Sequence, residues 1–222
     1  MAWSHRDPRH VLTAHDDGRV RLWDLTAGGD GGVSCLARLD VVAADAALRV
    51  VTRVLFLSRY DGPDDRAPAL TPPFLTGSDM NHTVTLWSPF GAPAGEGTVV
   101  LPRPLRVFGL RNADSTFGHV NLSSMLSLEL VPAPYRPPLA GAPAPAPSGF
   151  VLLAERTRGA LHALHLDTVR REDAAGAGAG AATVRGFDYV ATLNVVHPVY
   201  SCAVAPATED EAAGRRRRRC PS

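Results

Sequence analysis

The chain has 222 residues, 45% hydrophobic and 20% charged, with a formal net charge of +1 at neutral pH. That composition supports a buried core, argues against global disorder, and gives no whole-surface attraction to nucleic acid or membrane. No stretch approaches the roughly 18 apolar residues of a membrane-spanning helix, and the opening MAWSHRDPRH lacks the apolar centre of a secretory signal.

Taken in order, the elements read as strands. Trp3 to His10 is polar and ill-defined. Val11 to Ala14 is a first strand, and His15 to Gly18 is a turn whose Asp-Asp-Gly tolerates positive φ. Val20 to Leu25 returns, Ala27 to Gly32 is a Gly-rich loop, and Ser34 to Asp40 is a short alternating strand. Thr52 to Ser58 carries apolar groups on both faces, which predicts a strand packed on both sides. After a polar loop from Tyr60 to Pro72 comes a second hairpin, Phe74 to Trp87, read as FLTGSDMNHTVTLW. Its returning strand puts Thr83, Thr85 and Trp87 on one face, Val84 and Leu86 on the other.

Ser88 to Pro104 is loop-like, and Leu105 to Leu110 is an outer strand. Asn121 to Val131 alternates at Leu126, Leu128 and Leu130 and predicts a strand, with a helix over Leu122 to Leu128 as the alternative. Pro132 to Pro147 is a Pro/Ala-rich extended loop. Phe150 to Ala154 and Ala160 to Leu166 form a third hairpin, without Trp. Asp167 to Gly186 contains AAGAGAGAA and reads as a flexible insertion with nothing to pack. Tyr189 to Val196 and Val199 to Ala205 are further strands, and the charged tail from Thr208 is expected to be disordered.

The first hairpin, VLTAHDDGRVRLWD, and the second are near-copies. Aligning their tryptophans sets Thr13 against Thr76, Asp17 against Asn81, Val20 against Val84 and Leu22 against Leu86. A strand–turn–strand unit closed by Trp and found twice is an internal repeat, and repeats decide architecture first. A propeller blade of the Trp-Asp type needs roughly 40–45 residues; long Ala/Gly/Pro-rich loops account for the larger spacing here. Three blades are traced: Val11 to Asp40, with Trp3 as its candidate innermost strand, then Thr52 to Leu110, then Leu122 to Val196. Val199 to Ala205 would open a fourth.

VLTAHDDGRVRLWD resembles the end of a Trp-Asp repeat. In that family the turn Asp, a strand hydroxyl and the Trp belong to a hydrogen-bonded network that fixes the blade. By motif match these are Asp17, Thr13 and Trp23, with Asp24 following. FLTGSDMNHTVTLW, with Asn81 at the turn and Thr76 and Trp87 in the matching places, is similar to the repeat of the enhancer of mRNA decapping protein 4 family, called Varicose in plants. GFVLLAERTRGALHALHLD and FDYVATLNVVHPVYSCAVA resemble that family's following segments, so the likeness runs from about Val11 to Ala205. The family's long carboxy-terminal helical region has no counterpart in this sequence. The resemblance implies a non-enzymatic scaffold that promotes mRNA decapping in cytoplasmic processing bodies and contacts decapping enzyme subunits. The alternatives are a Trp-Asp repeat adaptor of another pathway, or an enzyme with a site in the propeller channel.

No chemical constellation competes with these structural roles. His162 and His165 are three apart on a strand and so face opposite ways, which does not suit a shared metal. His5, His10 and His15 lack a companion Cys or carboxylate pattern. No GxSxG, HExxH or phosphate loop occurs, so no catalytic, cofactor or metal residue is assigned. The three cysteines, Cys35, Cys202 and Cys220, are widely spaced and suit a reducing compartment. Arg215, Arg216, Arg217, Arg218 and Arg219 are a candidate phosphate-binding tail or nuclear address; a solvated tail is the preferred reading.

The expectation is therefore an all-β, partial Trp-Asp (WD-repeat) β-propeller over residues 1–206, about three blades plus one strand, and a disordered charged tail over 207–222. It binds protein partners, with no membrane and no small-molecule substrate. Three blades fall short of the typical 4–8 of a closed ring. The chain is thus expected to be a fragment of a longer propeller, with Phe56, Leu57, Val199 and Tyr200 exposed at its ends.

Overall fold

The computed structural model describes residues 1–4, 7–28, 32–43, 46, 49–57, 60–61, 68–79, 82–93, 97–109, 127–132, 149–155, 160–170 and 182–195. Asn81, Val199 to Ala205 and Arg215 to Arg219 lie outside them, as do most of the Pro/Ala-rich and Ala/Gly-rich segments. The described residues are all β, without helix, in three sheets. The first joins β1 (Ala2–Trp3), β2 (His10–Ala14), β3 (Arg19–Gly28) and β4 (Gly32–Asp40) in chain order. Trp3 lies in a first, edge strand of this sheet with Ala2, pairing with Val11.

Next in the chain come β5 (Val51–Phe56) and β6 (Tyr60–Asp61), then β7 (Phe74–Ser78), β8 (Thr83–Trp87) and β9 (Pro104–Gly109). The middle sheet has the order β5-β7-β8-β9. The third runs β10 (Ser127–Pro132), β11 (Gly149–Glu155), β12 (Ala160–Arg170), β13 (Ala182–Asn194), all antiparallel. Ser127 and Leu128 are strand, not helix. Two-residue β6 closes this sheet by pairing parallel with Ala182 and Thr183, where the sequence suggested only loop.

Among the described residues, the middle sheet lies between the other two. Alternation gives each strand two apolar faces, and each finds a partner sheet. Val54, Phe56, Phe74 and Trp87 pack with Phe90 against Leu12, Val20 and Leu22 of the first sheet. Leu57, Leu75, Val84 and Leu86 pack against Val151, Leu153, Leu164 and Leu166 of the third. The facing expected for Val84, Leu86 and Trp87 is the one observed. Three stacked antiparallel meanders are compatible with propeller blades.

Two expectations are corrected. Phe56 and Leu57 are not exposed ends: they are 7% and 0% exposed, because the strand that carries them belongs to the sandwiched sheet. Nor is Asp167 to Gly186 wholly without packing. β12 continues to Arg170, and β13 starts at Ala182, with Leu166, Ala182 and Val184 fully buried beside Tyr60. Gly186 makes this fit possible: a Cβ there would sit 2.8 Å from Arg106 Cγ on β9.

Candidate functional site

The repeat's polar residues sit where the register predicts. Val11 pairs with Trp23, and Phe74 with Trp87. Thr13 and Thr76 lie two residues further along the same face, within diagonal reach of the indole. Trp23 Nε1 donates to Thr13 Oγ1 at 2.7 Å, and Trp87 Nε1 donates to Thr76 Oγ1 at 2.8 Å. In the third hairpin the cross-strand pair at that register is Val151 with Leu164, and Leu153 takes the Thr place. Both leucines are fully buried. An apolar pair thus replaces a hydrogen-bonded one, a change that costs little when both partners go together.

The first network extends further. Thr13 Oγ1 lies 2.7 Å from His15 Nε2. Indole N–H can only donate, so the threonine oxygen accepts from Trp23 and its own hydrogen can go to a neutral His15. Burial, aided by the Arg21 guanidinium, holds the His15 pKa below its ordinary value, which favours that neutral form. Asp17, expected in one network with Thr13 and Trp23, is instead bonded to Arg21, whose Nη2 donates to Oδ2, and to the Arg19 amide, which donates to Oδ1 at 3.1 Å. Desolvation opposes ionisation of Asp17, but the Arg19 amide and the Arg21 cation outweigh it and lower its pKa.

Gly18, at φ 81°, lets this turn close, and its carbonyl accepts from the Val41 and Val42 amides. The second turn carries Asp79 at φ 50°. Asp24 does not join the Trp network; its Oδ1 accepts from the Thr26 amide and hydroxyl at 2.7 and 2.9 Å, which lowers its pKa. Asn81 and Arg215 to Arg219 are outside the described residues, so no contact is assigned to them.

The histidines separate as their spacing suggested. His162 Nδ1 meets Thr192 Oγ1 at 3.0 Å, while His165 Nδ1 meets Asp188 Oδ1 at 2.8 Å. His165 is also stacked on Tyr189, with ring centroids 4.7 Å apart, and Phe150 lies 4.9 Å from it. This aromatic cluster, on the side of the third sheet turned away from the middle sheet, has no motif. Its three rings come from three strands, and only the register brings them together. His10 is 3% exposed, with Nδ1 3.6 Å from the Asp7 carboxylate. The Arg9 side chain, bonded to Asp7, pulls that carboxyl down to about 2. Among the described residues no three His, Cys, Asp or Glu side chains converge as a metal site, and no helix is long and apolar enough to cross a membrane.

The arrangement is a stack of sheets with hydrogen bonds that hold hairpins. No protein-family model, curated protein or solved structure matches the chain.

Proposed function

We infer that the three sheets are consecutive blades of a partial β-propeller of the Trp-Asp repeat type, and that the chain is a non-enzymatic, protein-binding scaffold. One observation carries this reading. The same Trp-to-Thr hydrogen bond, at the same register, holds the central hairpin of two successive stacked sheets. Repeated sheets of this kind form a stiff frame that presents loops and sheet faces to partners.

The finer assignment is a scaffold of the mRNA decapping machinery, promoting mRNA decay by holding decapping enzyme subunits in cytoplasmic processing bodies. Its support is the order of motifs from Val11 to Ala205, since fold alone does not choose between pathways. Recognition is by protein surfaces, without a cofactor or small-molecule substrate. Affinity purification of the tagged chain, or of its full-length parent, is expected to recover decapping enzyme subunits. Recovery of a different complex with none of these would transfer the chain to a Trp-Asp repeat adaptor of another pathway.

A further inference from the structure

The two junctions between sheets obey one rule. Each joins a face carrying the Trp register to a face carrying the flanking leucine register. The Leu12, Val20 and Leu22 face of the first sheet takes the Phe74 and Trp87 face of the middle sheet. The Leu75, Val84 and Leu86 face of the middle sheet takes the Val151, Leu153 and Leu164 face of the third. Cross-strand pairing makes these positions equivalent: Leu12 with Leu22, Leu75 with Leu86, Leu152 with Ala163.

Among the described residues, one face of each kind then has no partner sheet. The first sheet turns its Trp-register face outward: Val11, Thr13 and Trp23, with Trp3 and Val33 at 50% and 58% exposure. The third sheet turns its leucine-register face outward: Leu152, Leu161 and Ala163, with Tyr189 and Leu193 at 51% and 56% exposure. In both, the centre is covered better than the rim, since Val11 and Leu152 are 5% and 8% exposed. Arg38 lies exposed on the first face, where the neighbouring Arg21 is paired with Asp17; on the second face Asp188 meets His165, and Arg185 pairs with Asp167.

We propose that these two faces dock on each other between copies, the third sheet of one chain against the first sheet of another. The occupant of each face is a second copy of this chain. This is a heterologous interface, which closes into a ring when its rotation allows. The described sheets of two copies number six, inside the range of about 4–8 blades that closed propellers use. The docking rests on the sheet stack; the stoichiometry of two rests on the propeller reading given above.

The test uses the 222-residue chain in sedimentation velocity and light scattering. The unmodified chain is expected to run at twice its monomer mass. Trp3→Asp or Leu193→Asp should each give monomers while retaining a cooperative melt; both side chains are half exposed, and Val33→Asp and Tyr189→Asp are second choices for the two faces. Mixing a Trp3→Asp chain with a Leu193→Asp chain should restore a one-to-one dimer, because each brings one intact face. A monomeric unmodified chain overturns the proposal, as does an assembly that either variant leaves unchanged. Open-ended assemblies, still blocked by both variants, would uphold the docking and refute two-copy closure together with the propeller reading.

Discussion

Trp87 and Thr76 make the sharpest test of the blade network. Trp87 is 6% exposed and is stacked on Phe74 with centroids 6.2 Å apart, while Thr76 is fully buried. Trp87→Ala removes a buried ring, and such truncations cost about 3–5 kcal/mol. At roughly 2–4 °C per kcal/mol for a chain of this size, the melt should fall by about 6–20 °C. Trp87→Phe keeps most of the ring but leaves the Thr76 hydroxyl buried and unbonded, a loss of about 1–3 kcal/mol. Thr76→Val strands the indole N–H and costs a similar amount. The double variant Trp87→Phe/Thr76→Val should be more stable than the sum of the singles implies, because it recreates the apolar pairing that Leu153 and Leu164 already use. Trp23 is more exposed than Trp87, so Trp23→Ala should cost less than Trp87→Ala. Urea melts of the five variants would decide this. Strict additivity in the double variant, or equal losses for the two Trp→Ala changes, would refute the reasoning.

Gly18→Ala should destabilise by about 1 kcal/mol, since the residue holds φ 81°; a melt at neutral pH checks it. His15 has a lowered folded pKa, so the unfolded chain binds its proton first; stability is fully present above the unfolded value near 6.5 and is lost as pH falls below it. His15→Gln should flatten that part of a stability profile between pH 7.5 and 5, and an unchanged slope would show that burial does not hold His15 neutral. Gly186→Val should cost about 1–3 kcal/mol by overpacking against Arg106, and Arg106→Ala in the same chain should recover much of it in a paired melt.

Local chemistry was enough to place the hairpins. Asp-Asp-Gly turns, period-two alternation and a terminal Trp are features of neighbouring residues, so β2, β3, β7 and β8 were legible. The Thr13–Trp23 and Thr76–Trp87 bonds were suggested only by the resemblance to Trp-Asp repeats, and each spans a single hairpin. Strand pairing across longer distances was not legible. The continuation of β12 and β13 was hidden by the neighbouring Ala/Gly-rich run, although Thr168, Val169, Thr183 and Val184 suit a strand, and it forms where Leu166, Ala182 and Val184 find Tyr60 and the middle sheet. The two-residue β6 exists only as a partner to Ala182 and Thr183. Phe56 and Leu57 looked like an exposed end until the stack put a sheet on each side of them. Alternation fixes which residues share a face, but a face is buried only when another sheet covers it, and that contact lies between residues far apart in the chain.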